Sequence, residues 1–247
     1  METVEYILAY ITPYIAVVVL IGGVSGYYGR LVDTIIQRII EFIRAVPDGQ
    51  PFCLSVSFKA AHVQDSYDIT DEPFPYDPAL ADVYADIEVE PPVSALPRFF
   101  ERLPRSLQNS EARLRWAIRF WGPARYQQSI KGYYRLVTGI DRVVGRLRTA
   151  LEERGLAAST AIVYTGDNGF FLGEHGLAGK WTPHEPSIRV PLLVYDPVDR
   201  LVRREVDNGA VTTQVYDGDG RMTRVIHARS DGSLVSRFTY TYDQVGN

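Results

Sequence analysis

The chain has 247 residues, 46% of them hydrophobic and 12% aromatic, enough apolar material for one large domain or two small ones. Its formal net charge of -4 leaves no basic field of the kind nucleic acid demands, the arginines between Arg98 and Arg125 notwithstanding, so nucleic acid is excluded as a partner. Cys53 is the single cysteine, which excludes an intramolecular disulfide; set in the apolar run PFCLSVSF, it reads as a buried thiol.

No charged residue stands between Tyr6 and Gly29, and a run of that length can cross a bilayer as a helix of about 20 residues. A membrane is therefore a candidate partner through residues 6–29, and membrane association a candidate location. A buried helix, or a strand pair broken by Pro13, Gly22, Gly23, Gly26 and Gly29, is the alternative reading. Glu2 and Glu5 stand where a secretory leader carries positive charge, so a cleaved signal peptide is not expected. Beyond the run, Arg30, Arg38 and Arg44 against Asp33 and Glu41 weakly place the remainder in the cytoplasm. Leu31 to Val46 reads as a helix, because Asp33, Gln37, Glu41 and Arg44 fall three or four apart and leave the isoleucines on a wide apolar face. Such a face needs a partner or a membrane. The residues GGVSGYYGRLVDTIIQRIIEFIRAVP resemble the inner part of a permease subunit of a peptide-type ABC transporter. That resemblance covers only the first 47 residues, and no further membrane helix follows, so transport does not carry over.

Pro51 to Phe58 reads as a strand that ends in Lys59-Ala60-Ala61-His62. Asp65 to Pro104, rich in proline, acid and aromatic residues, reads as loops laid over a surface and lining or covering a cleft. Glu111 to Phe120 is predicted as a short basic helix and Ala124 to Gly155 as a long one. In the long helix Ile130, Tyr134, Val137, Ile140, Val144, Leu147 and Leu151 recur at helical spacing, Gly155 supplies the stop, and the expected role is packing on a sheet. Strand, excursion, long helix and strand alternate up to Pro197, which predicts α/β layers.

Thr160 to Pro197 concentrates the chemistry. Thr160 to Thr165 reads as a buried strand, Gly166-Asp167-Asn168-Gly169 as the turn after it, and Ile188 to Tyr195 as another strand. In α/β sheets ligands sit outside the carboxyl ends of strands. Asp167 and Asn168 offer hard oxygens that suit calcium or magnesium, and Lys180 and His184 add a cation and a titratable ring. The combination points to a metal beside an anionic substrate. From Tyr195 on come three Tyr-Asp dipeptides, Tyr195-Asp196, Tyr216-Asp217 and Tyr242-Asp243, with Asn208-Gly209, Asp219-Gly220 and Asp231-Gly232 as hairpin turns between alternating runs. YDPVDRL, YDGDGRM and YDQVGN resemble the YD repeats of Rhs and teneurin-like proteins, which form β-ribbons in large shells. Repeats bury their apolar faces only against neighbours, and so few predict a loosely held hairpin tail.

The central segment carries the strongest resemblance. PFCLSVSFKAAHVQD, SEARLRW, YYRLVTGIDRVVGRL, the DNG turn, GFFLGEHGLAGKW and HEPSIRVPLLVYDP together look like the later half of a type I sulfatase of the N-acetylglucosamine-6-sulfatase or choline-sulfatase-like group. The resemblance implies a partial alkaline-phosphatase-like α/β fold, a sulfated small molecule or glycan as partner, calcium, and a formylglycine nucleophile made from cysteine or serine. Carried over position by position, Asp167 and Asn168 are calcium ligands, Lys180 contacts the sulfate, and His62 donates the proton to the leaving oxygen with Lys59 in support. His184 and Glu185 stand near the substrate mouth, and with His175 they read as supporting or specificity residues. Arg189 reads as the partner of a buried carboxylate at the strand entry. Ala61 stands where the family usually has proline.

Two parts of the family pattern are missing from the 247 residues. None stands in a Cys/Ser-x-Pro/Ala-x-Arg motif, Cys53 being followed by Leu54-Ser55-Val56-Ser57, and no two aspartates are adjacent. Formylglycine is therefore absent, the calcium site is incomplete and weak, and a sulfatase-like but inactive domain is expected. The expected divisions are residues 1–47, apolar and permease-like; 48–197, sulfatase-like; and 198–247, hairpins. Joins at Pro47-Asp48 and at Tyr195-Asp196-Pro197 suggest a chimeric reading frame. The alternatives are a membrane-anchored module that binds sulfated glycan without cutting it, and a non-catalytic interaction protein.

Overall fold

The computed structural model describes residues 15–21, 29–196, 200–206 and 209–242. In chain order the main elements are β1 (Ile15–Ile21), α1 (Gly29–Ala45), β2 (Phe52–Phe58), α2 (Pro97–Phe100), α3 (Arg105–Gln108), α4 (Glu111–Phe120) and α5 (Pro123–Glu153). They continue with β3 (Ile162–Thr165), β4 (Phe171–Leu172), β5 (Ala178–Gly179), α6 (Glu185–Ile188), β6 (Leu192–Tyr195), β7 (Leu201–Glu205), β8 (Val211–Tyr216), β9 (Met222–Ala228) and β10 (Leu234–Thr239). Two compact units divide them, one of residues up to Val89 with Gln127–Arg154, the other of Glu90–Tyr126 with the residues from Gly155 on.

In the first unit β1 and β2 run parallel, in register from Ile15 opposite Phe52 to Ile21 opposite Phe58. A parallel pair needs a crossover, and α1 supplies it. The uncharged run of residues 6–29 thus contributes a strand where a membrane-spanning helix was one expectation: five of the seven residues of β1 are isoleucine or valine, which favour a pleated strand. No helix among the described residues is long and apolar enough to cross a membrane, and residues 6–14 and 22–28 lie outside those described. The isoleucine face of α1 is satisfied within the protein, with Ile36, Ile39, Ile40 and Ile43 buried. Arg146 and Glu153 of α5 pair with Asp33 and Arg44, and Arg154 donates to the Val46 carbonyl at 2.7 Å.

The core stripe of α5 runs through Ile130, Leu136, Ile140, Ala150 and Leu151. Val137, expected on that stripe, is exposed, and Leu136 takes the inward position. Arg135 explains how a proline-rich excursion stays ordered. It donates to the carbonyls of Val83 and Ala81 at 2.9 and 2.7 Å and stacks on Tyr76, while Tyr84 meets Thr138 at 2.8 Å. Loop carbonyls that no ladder serves are thereby paired.

The second unit is built on a six-stranded sheet of order β10-β9-β8-β7-β6-β3, antiparallel at every step. The predicted hairpins are present, and they are not loosely held. β7 registers on β6, Val194 opposite Arg203, so the tail continues the sheet. Its corners are locked by charge-assisted bonds. Asp196 accepts from the Arg200 N and Nε at 2.8 and 2.7 Å, and Asp217 accepts from the Arg221 N and Nε at 2.9 Å each. Each arginine then stacks on the tyrosine of the next Tyr-Asp unit, Arg200 4.6 Å over Tyr216 and Arg221 5.2 Å over Tyr242. Those tyrosines close the link by donating to the Leu201 and Met222 carbonyls at 3.2 and 2.8 Å. At the β7–β8 corner Gly209, at φ +72°, leaves room for the Arg189 guanidinium, which a Cβ there would meet at 2.2 Å.

Candidate functional site

The turn after β3 is drawn tight by its own side chains. Asp167 Oδ1 accepts from the Asn168 N at 3.0 Å, and Asn168 Nδ2 donates to the Gly169 carbonyl at 2.7 Å. With its amide nitrogen so engaged, Asn168 presents Oδ1 outward, and Lys180 Nζ donates to it at 2.9 Å. The short hairpin of β4 and β5 brings the lysine there: Phe171 pairs with Gly179 and Leu172 with Ala178, so the chain folds back and sets residue 180 beside the turn. Lys180 is half-buried, and among the described residues no carboxylate forms an ion pair with it. Arg189, Arg200 and Arg221 in the same unit are each paired, with Glu185, Asp196 and Asp217; the partner of Arg189 is thus an exposed carboxylate one helical turn away and not the buried one expected. The ammonium therefore faces a neutral amide with donors to spare.

The opposite side of the turn is clamped. Gly169 N donates to the Ser187 carbonyl at 2.8 Å, and a Cβ at Gly169 would stand 2.1 Å from the Pro186 carbonyl oxygen and 2.6 Å from that of Arg189. The turn from His184 to Arg189 thus lies directly on the Asp167-Asn168-Gly169 turn. His184 begins α6, its carbonyl accepting from Ser187 N at 2.8 Å, and its Nδ1 meets Thr182 Oγ1 at 2.8 Å. The rings of His184 and His175 lie against Phe171, centroids 6.0 and 6.4 Å away. Burial, and then the charge of His184, hold His175 below the ordinary histidine range. The turn that carries His175 is held by Arg113, whose guanidinium lies 3.9 Å from the centre of Phe100 and 4.0 Å from that of Trp116 and donates to the Gly176 carbonyl at 3.0 Å.

In the first unit, Lys59 and His62 follow the end of β2 and both are exposed. The Lys59 carbonyl accepts from His62 N at 2.7 Å, and His62 Nδ1 lies 2.7 Å from the Val63 carbonyl. A carbonyl only accepts, so Nδ1 carries the proton in this contact. Cys53 lies within β2 as a half-buried free thiol, not the fully buried one expected.

The donors present do not fit calcium. The ion takes about six to eight oxygens at about 2.3–2.6 Å, and among the described residues no three acidic, histidine or cysteine side chains come together. Of the two expected ligands, one has its oxygen on an ammonium. Calcium on Asn168 Oδ1 would stand at most about 5 Å from Lys180 Nζ, a repulsion of about 6 kcal/mol at an effective dielectric of about 20.

Thr182, Ser187 and Arg113 went unnoticed as supports in the sequence. Thr182 was the most accessible of them, since a hydroxyl two residues before a histidine is placed for a local bond. The clamp on Gly169 has no local signal at all.

A sequence profile of the sulfatase family matches residues 5–215. The N-acetylglucosamine-6-O-sulfatase of Bacteroides thetaiotaomicron is 44% identical over 73 residues, 30% of this chain and 13% of that protein. The choline-sulfatase of Rhizobium meliloti is 29% identical over 213 residues, 81% of this chain and 38% of that protein. A solved protein in complex with its substrate D-glucosamine-2-N,6-O-disulfate superposes with a TM-score of 0.49 at 17% identity, over 80% of this chain and 58% of that one. The chain thus spans well under half the length of the curated relatives. The family match extends through most of residues 1–47 and past Pro47-Asp48, so neither the transporter resemblance nor a chimeric join there gains support. On a match that covers most of its length, the chain belongs to the sulfatase family.

Proposed function

We propose that the chain is a sulfate-recognising sulfatase domain that binds the ester group of a sulfated small molecule or glycan and, by itself, does not cleave it. Lys180 supports this reading: a half-buried ammonium bonded to the neutral Asn168 oxygen and free of any described carboxylate partner attracts an anion. In this proposal Lys180 contacts the sulfate, Asn168 aims Lys180, and Asp167 shapes the turn. In the same unit His184 borders the substrate. No residue of the 247 stands in the nucleophile motif. An attack on sulfur therefore has no covalent oxygen to make it, and such a loss costs many orders of magnitude in rate. The test is release of chromophore from an aryl sulfate. Turnover equal to that of a Lys180→Ala control is expected, and turnover clearly above it refutes the inactivity.

A further inference from the structure

We infer that Lys180 and Asn168 form an oxyanion site that holds sulfate without calcium, the ammonium standing where related proteins are expected to use a metal. The inference rests on the sulfate-recognition reading above and concerns how the anion is held. Three observations carry it. Asn168 Oδ1 accepts from Lys180 Nζ at 2.9 Å, so a calcium on its remaining lone pair would stand beside another cation. The Asn168 amide is held in that orientation, because its Nδ2 donates to the Gly169 carbonyl at 2.7 Å. Among the described residues no acidic cluster accompanies Asp167, and one of that carboxylate's oxygens already serves the Asn168 N.

The same contacts that disfavour a divalent ion organise an anion site. An ammonium has three donors. One is spent on Asn168, which fixes the direction of the lysine stem, and the other two remain for sulfate oxygens. The turn beneath is held from behind, where the backbone of Pro186 and Arg189 closes on Gly169 and its N donates to the Ser187 carbonyl. A point charge on a fixed base holds an oxyanion by charge and by up to two hydrogen bonds, with no metal to complete.

The experiment is isothermal titration of the whole chain with sodium sulfate, against sodium chloride at matched ionic strength, once with excess EDTA and once with millimolar calcium chloride. Sulfate affinity within twofold in the two buffers, and at least tenfold weaker in Lys180→Met, is expected. Lys180→Arg, which keeps the charge, retains part of the binding, and circular dichroism of each variant establishes that it is folded. Sulfate bound only when calcium is present overturns the inference and leaves sulfate recognition standing. Sulfate bound in neither buffer overturns both. Binding that survives in Lys180→Met places the anion elsewhere and likewise refutes the assignment.

Discussion

Gly169→Ala tests the clamp that gives the candidate site its rigidity. An added Cβ would stand 2.1 Å from the Pro186 oxygen and 2.6 Å from the Arg189 oxygen. Both are backbone atoms, so no rotamer change relieves the clash. Overpacking costs about 1–3 kcal/mol where neighbours can adjust, and rigid neighbours push this to the upper end. Losing the bond from Gly169 N to the Ser187 carbonyl adds about 1 kcal/mol. Alanine's smaller unfolded-state entropy offsets about 0.4–1 kcal/mol, leaving a net loss of about 3 kcal/mol. Gly166→Ala is the control, because its Cβ would meet nothing closer than Val190 Cγ1 at 3.4 Å, an ordinary contact. Trp116, Trp121 and Trp181 all belong to the second unit, so tryptophan fluorescence in urea reports on that unit. With a slope of about 2 kcal/mol/M, the Gly169→Ala midpoint falls by about 1.5 M and the Gly166→Ala midpoint by less than about 0.5 M. Equal midpoints for the two variants would refute the clamp.

Three further outcomes are expected. Asp217 is held below the ordinary carboxylate range, first by the Arg221 backbone N–H and then by the Arg221 side chain. Its contribution is therefore complete above about pH 4 and is lost as pH falls through the lower folded value; Asp217→Asn flattens that acid limb in thermal melts and leaves the curve above pH 5 parallel to the parent. His175, held low by burial and then by His184, favours its neutral form when folded, so stability is full above about pH 6.5 and declines as pH falls towards the lower folded value. His175→Asn, whose side chain tolerates the φ of +54°, removes that decline, and His184→Gln shifts the His175 titration upward when followed by NMR. Arg113→Ala removes two ring contacts and the bond to the Gly176 carbonyl and lowers stability by about 2 kcal/mol in the urea assay; a change below about 0.5 kcal/mol would show that the stack does not hold the turn.

The elements legible in the sequence were those whose own residues determine them. Glu111–Phe120 and the long helix behind it show the 3.6-residue period, and their limits agree with the structure to within two residues. Phe52–Phe58 alternates and ends at a turn. Residues 15–21 were not decidable in this way. An unbroken apolar run has no period to separate a membrane helix from a buried strand, and pairing with β2, some 37 residues on, settles it. The tail was half legible. Turn residues announced the hairpins, whereas the stacking of Arg200 on Tyr216 and Arg221 on Tyr242, which ties each unit to the next, follows from pairing register and not from any local preference.

The same limit governs the chemistry. Asp167, Asn168 and Lys180 are readable as a hard-oxygen pair followed by a cation, and that composition is compatible with a metal beside an anion or with an ammonium serving in place of the metal. The choice depends on which oxygen faces which charge. In the folded chain the two-residue ladder of β4 and β5 sets Lys180 on Asn168, and the backbone of Pro186 and Arg189 packs on the turn at Gly169. Calcium needs several acidic ligands to offset its dehydration and its repulsion from Lys180. An oxyanion needs only the lysine, two unspent donors and a base that stays fixed. Lys180 has no carboxylate partner among the described residues and two donors left after Asn168, and on these the proposed anion site rests.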